Sequence, residues 1–167
     1  LRESARIAVD GSVLQMFNHG LSAAGMFFLV GVLYDRTHTR KFADFGGLFP
    51  LVPVYGGFLI FTSLASLGLP GLNGFVSEFM IVRGVWPIFT LFIAISMIGL
   101  LFTGVYVLKA LKLTLHGPLN EKWSGKLKDI NLREIFVIVP LMLFILSIGI
   151  WPAWILNLIN QAVAAWY

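Results

Sequence analysis

Apolar positions in this chain neither alternate nor repeat at helical spacing; they run together in long blocks. Four blocks stand out, roughly Gly11 to Leu33, Pro50 to Val82, Pro87 to Leu115 and Ile135 to Leu158. Each reaches the length of about 20 residues that a helix needs to cross the hydrocarbon core of a bilayer. Backbone groups in lipid must find partners within their own segment, so helix is the conformation these blocks predict. The expected fold is an all-α integral membrane bundle of four transmembrane helices, a single membrane domain running the length of the chain.

The second block is too long for one straight crossing. Gly68-Leu69-Pro70-Gly71 interrupts it, with Gly74 close behind. Pro70 has no N–H to give to a helical ladder, and the flanking glycines permit a turn and a close approach. The pattern predicts two half-helices, about Pro53 to Leu67 and Leu72 to Val82, with the helix broken at Leu69-Pro70-Gly71. A plain proline kink is the simpler alternative. Interrupted helices at membrane depth are tolerated where they line a cavity, and transporters bind ions there.

Composition agrees with a membrane location. Of 167 residues, 58% are hydrophobic and 12% charged, about half the charged share of a soluble domain. A chain this short cannot hide so much apolar surface in a water-soluble core. Cysteine is absent, which excludes disulfides, thiolate metal sites, iron–sulfur ligation and a cysteine nucleophile.

The net charge of +4 resides in short loops. The expected partner is therefore the lipid bilayer, not nucleic acid. Nine cations, Arg36, Arg40, Lys41, Lys109, Lys112, Lys122, Lys126, Lys128 and Arg133, fall on one side of the predicted crossings; three, Arg2, Arg6 and Arg83, fall on the other. The positive-inside rule puts the nine in the cytoplasm, so both termini are expected on the outer side. Trp86, Trp151, Trp154, Trp166 and Tyr167 fall near span ends, as an interfacial aromatic belt does. The chain opens on Leu rather than Met, which points to a piece of a longer protein. Leu1 to Asp10 holds no apolar run of the signal-peptide kind.

Chemistry is confined to a few positions. In the first block Ser12, Gln15, Asn18, His19 and Ser22 fall within roughly 120° of arc on a helix. Such a stripe faces protein or trapped water, with His19 near its middle. An imidazole exchanges protons near neutrality; the plainer role is a neutral, hydrogen-bonded packing residue. Glu78 is the only acid inside an apolar block. Burial disfavours its charge while the half-helix N-terminus favours it, which suits a proton carrier. The alternative places it solvated near the surface, since Arg83 follows. Lys109, Lys112 and His116 share a helical face near the end of the third block. They read as cations snorkelling to the interface, or, for Lys109, as lining a proton path. No phosphate loop, nucleophile elbow or metal-spaced histidine pair is present.

Three motif groups resemble the antiporter-like subunits of respiratory complex I, the subunit M type most closely. They are Phe17-Asn18-His19-Gly20-Leu21-Ser22-Ala23-Ala24 with the turn from Tyr34 to Arg40; Gly46-Gly47-Leu48 with the run from Gly68 to Phe79; and Asn131-Leu132-Arg133-Glu134. That family has fourteen helices with two inverted five-helix repeats, each containing a broken helix. The resemblance implies that the chain is the C-terminal part, the last four helices. It places the family's histidine on His19 and its essential glutamate on Glu78; Gln15 and Ser22, from the polar stripe beside His19, are the expected supporting residues. Lys109 matches no family position, and the first repeat's glutamate–lysine pair and central lysine are not in this chain.

The resemblance further implies a proton-translocating membrane subunit of NADH:quinone oxidoreductase in the bacterial cytoplasmic membrane. Its partners would be other membrane subunits, especially neighbouring antiporter-like ones. No cofactor is expected in this chain; NADH, FMN, iron–sulfur clusters and quinone would belong to other subunits. A multisubunit cation/proton antiporter, a membrane-bound hydrogenase and a structural assembly subunit are the alternatives.

Overall fold

The computed structural model describes residues 1–164; Trp166 and Tyr167 lie outside the described residues. Among the described residues are six α-helices: α1 (Arg2–Thr37), α2 (Pro53–Ser66), α3 (Asn73–Val85), α4 (Thr90–Leu115), α5 (Leu132–Ile150) and α6 (Ala153–Ala164). Two single 3₁₀ turns, Phe42–Asp44 and Glu121–Trp123, sit in the connections. No strand occurs among the described residues. By length and composition α1, α4 and α5 are able to cross a membrane, while α2 and α6 are shorter apolar helices.

Two helix bounds differ from the hydropathy pattern. The first helix begins at Arg2, not near Gly11. Charged residues end an apolar block but need not end a helix, and nothing between Arg2 and Asp10 breaks one. The fourth block is not one helix to Leu158. Trp151 takes φ −134 and ψ 71 and stops α5, because the residue before a proline is pushed out of the helical region. After Pro152 the chain restarts as α6, whose Ile155, Ile159 and Val163 pack with Leu14 of α1 and Ile148 of α5. Pro140, by contrast, is carried inside α5.

α1 is the spine of the bundle and packs chiefly along α3. The two run so close at Gly84 that a Cβ there would meet the Ala8 and Ser4 backbone. A second cluster, including Leu29, Leu33, Leu59, Ile138 and Met142, joins α1, α2 and α5. α4 is peripheral: only Ile93, Leu111, Thr114 and Leu115 of its residues are buried. The rest is apolar surface suited to lipid or to further helices.

A polar clasp ties one end of the bundle. Arg36 at the end of α1 donates to both Glu134 oxygens, Nη1–Oε1 3.0 Å and Nη2–Oε2 2.7 Å. Its Nε also donates to the Lys128 carbonyl at 3.0 Å. Glu134 and Asn131 form a capping box that starts α5. Asp129, from the same loop, accepts from Val54 N and Tyr55 N at 2.9 Å each. It thereby caps the N-terminus of α2, where helical N–H groups lack partners. Trp123 Nε1 and Asn120 Nδ2 both donate to the Asp44 carbonyl, at 2.7 and 3.0 Å. The two basic loops are thus fastened to each other.

Candidate functional site

α1 presents Asp10, Leu14, Asn18 and Ser22 at intervals of four, and all are buried. The stripe lies against α3, whose buried residues are Asn73, Gly74, Ser77 and Gly84. Where they meet, side chains cross-link the helices. Asn18 Nδ2 donates to the Asn73 carbonyl at 2.7 Å and to Ser77 Oγ at 2.8 Å. Asn73 Nδ2 returns a bond to the Asn18 carbonyl at 3.2 Å. Ser77 Oγ then donates to Gln15 Oε1 at 2.5 Å, and Gln15 stands beside the Glu78 carboxyl. A chain of hydrogen-bonding groups therefore runs from Asn18 through Ser77 and Gln15 towards Glu78.

Two acceptors of this node, Asn18 Oδ1 and Asn73 Oδ1, are buried with no partner among the described residues. Buried polar groups of this kind are where structural water sits. The node opens into a cavity of about 190 Å³ lined by Gln15, Asn18, His19, Ser22 and Glu78, closed by Ser66 of α2 and by Thr103 and Tyr106 of α4. Glu78 is half-buried and Ser22 buried, while His19 is exposed on the open side. A larger cavity of about 320 Å³ lies nearer the clasp and is almost wholly apolar, with Arg40 at its edge. Its ionisable groups are that arginine and three tyrosines, Tyr34, Tyr55 and Tyr106, whereas the smaller cavity holds a carboxyl and an imidazole.

The segment between α2 and α3 shapes this site. Gly68 and Gly71 adopt φ +69 and +94, in the left-handed region that glycine occupies without steric cost. Pro70 lies in the turn between them. A Cβ on Gly68 would meet Glu78 Oε2. The carboxylate therefore reaches back over the turn, as helical side chains lean towards their N-terminus. Gly74 sits against the Ala65 carbonyl with no room for a Cβ, so α3 starts hard against the end of α2.

Lys109 is exposed on α4 and does not line the cavity. The same helix supplies Tyr106 and Thr103 instead, one turn or two earlier. Those residues, with Ser66, Asn73 and Ser77, were not singled out by hydropathy, since single hydroxyls and amides scarcely change it. Ser77 and Asn73 do fall in the run from Gly68 to Phe79. Asp10 was hidden by its position one residue before the first apolar block. No group of three or more His, Asp or Glu among the described residues is placed to hold a metal ion.

Known proteins share this arrangement of helices. The family described as "NADH:quinone oxidoreductase/Mrp antiporter, TM" matches residues 3–113. NADH-quinone oxidoreductase subunit M of Rickettsia conorii is 35% identical over 158 residues, covering 95% of this chain and 32% of that protein. NAD(P)H-quinone oxidoreductase chain 4 2 of a Synechococcus strain is 36% identical over 168 residues, again covering 95% of this chain and 32% of the relative. A chain in the structure of respiratory complex I from Thermus thermophilus with bound NADH superposes with a TM-score of 0.87 at 25% identity, over 97% of this chain and 34% of that one. The chain thus spans about a third of the length of these relatives.

Proposed function

Because this chain belongs to the NADH:quinone oxidoreductase/Mrp antiporter transmembrane family, we propose that it is part of the proton-carrying membrane arm of an NADH:quinone oxidoreductase. The relatives named for that enzyme support the oxidoreductase over the antiporter that the family also includes. In this reading the chain is the C-terminal part of a subunit M-type protein in a bacterial cytoplasmic membrane. It works among other membrane subunits and holds no redox centre; electron transfer from NADH to quinone occurs elsewhere in the assembly. α2 and α3 together form one crossing, interrupted at Leu69-Pro70-Gly71, so α1, α2–α3, α4 and α5 make four. The basic loops face the cytoplasm.

The observation that carries the proposal is the convergence of Glu78 and His19 on one polar cavity beside the α2–α3 turn. An ionisable side chain within a membrane-spanning segment is costly and is retained for function. Here the carboxyl and the imidazole face a space with room for several waters, walled in part by hydroxyl and amide groups. Water in that space relays a proton between His19 and Glu78. Ser77, Gln15 and Asn18 hold the hydrogen-bonded geometry. Redox events at a distance drive transfer by changing which of the two groups is charged.

Filling the cavity tests the reading without touching an ionisable group. Ser66 lines it from α2, and Ser66→Leu displaces water between His19 and Glu78. In the assembled complex, proton uptake into membrane vesicles during NADH oxidation should fall several-fold. Parental uptake per electron in fully assembled Ser66→Leu would contradict a water-borne path here.

A further inference from the structure

Asp10 is the second acid inside a helix that faces the bundle, and it is better buried than Glu78. It is 4% exposed, and its Oδ1 has no hydrogen-bond partner among the described residues. Its other oxygen lies 3.9 Å from Arg6 Nε, one turn back on α1, and the Arg6 side chain is 46% exposed. A buried carboxylate with an unmet acceptor is costly unless something else visits it. The pair therefore links a buried oxygen to a half-exposed surface cation.

Its place relative to the polar cavity is defined by α1. Asp10 precedes Asn18 by two helical turns, about 12 Å along the axis, on the same buried stripe. The neighbouring Gly11 packs on Met80 and Ile81 of α3. Asp10 is therefore level with the far end of α3, away from the clasp. Between the two polar positions stands Leu14, fully buried and packed with Ile148, Ile155 and Ile159. A single apolar turn thus separates the Asn18–Ser77 node from Asp10. Hydrophobic constrictions of this kind gate by wetting and dewetting.

We propose that Asp10 is the outward proton-exchange carboxylate of the path, standing beyond an apolar valve centred on Leu14. The inference rests on the proton-path reading given above. When water crosses the Leu14 turn, Glu78 gives up its proton to that water beside the Gln15–Asn18–Ser77 node, and the proton passes along it to Oδ1 of Asp10. It departs past Arg6 to the outer surface, and the carboxylate returns to its ion pair. Dewetting of the same turn prevents the reverse flow.

The test uses the whole complex in vesicles oxidising NADH, with assembly checked separately. Asp10→Asn keeps the shape and loses the exchangeable proton, so proton uptake per electron should fall several-fold. Asp10→Glu should recover most of it. Arg6→Gln, on a half-exposed side chain that tolerates change, should lower uptake by a smaller factor; it decides the matter where Asp10→Asn does not assemble. Parental uptake in Asp10→Asn, or equal loss in Asp10→Asn and Asp10→Glu, overturns the proposal, as does parental uptake in the deciding Arg6→Gln. Glu78→Gln measured alongside separates the two claims. Loss there with parental uptake in Asp10→Asn removes Asp10 alone; parental uptake in both removes the proton path.

Discussion

Gly68 and Glu78 fit against each other: the carboxylate of Glu78 occupies the space a Cβ on Gly68 would need. Gly68 also holds φ +69, and Gly71 holds φ +94 with open space where a Cβ would sit. The two glycines thus separate backbone strain from carboxylate placement. Alanine at either position strains the left-handed backbone by roughly 1–2 kcal/mol. Only Gly68→Ala also displaces the Glu78 side chain. Gly68→Ala should therefore lose clearly more proton pumping per electron than Gly71→Ala at matched assembly. Equal pumping in the two would detach Glu78 from the turn.

The Arg36–Glu134 pair joins the ends of α1 and α5 through two parallel bonds, with about a fifth of each side chain exposed. Arg36 additionally holds the carbonyls of the loop that carries Asp129, the cap of α2. Arg36→Lys keeps the charge but loses the fork that reaches two oxygens and a carbonyl at once. Hydrogen bonds to charged groups are worth about 1.5–3 kcal/mol each. The Lys variant should lower the melting temperature of the assembled complex and its yield, without changing protons pumped per electron. A changed stoichiometry at normal stability would place Arg36 in the path instead.

Asn18 is 1% exposed and bonds α3 twice. Asn18→Leu removes both bonds and leaves the Ser77 and Asn73 acceptors short of a donor, at about 1–3 kcal/mol for a buried unmet group. Asn18→Leu should assemble poorly, while Asn18→Gln should recover part of the yield. Quantitative immunoblotting of the assembled complex reads this directly, and full assembly of Asn18→Leu would refute the bridging role.

The membrane helices were legible because the bilayer dictates a length that apolar blocks must meet. His19 and Glu78 stood out because ionisable groups are rare in such blocks. The rest was hidden for identifiable reasons. α1 extends N-terminally past its apolar block, so hydropathy leaves Asp10 outside the predicted helix. Pro140 and Pro152 sit in equally apolar surroundings, yet α5 carries the first and ends at Trp151 before the second. After Pro152 the chain restarts as α6 packed on α1, and that contact is not local. The Asp129 cap of α2 is 75 residues away in sequence. Lys109 and Lys112 lie on α4, but the helix ends at Leu115 and His116 is the extended residue after it; spacing does not say where a face points, and Lys109 does not line the cavity.

The central claim is that Glu78 exchanges the transported proton. It is measured most directly as proton uptake into vesicles per NADH oxidised by a complex carrying Glu78→Gln, which keeps the shape and removes the ionisable site. Uptake per electron should fall strongly while the complex still assembles, and Glu78→Asp should retain part of it because a carboxylate of shorter reach remains. Parental uptake per electron in a fully assembled Glu78→Gln complex would contradict the account and leave this cavity a structural one.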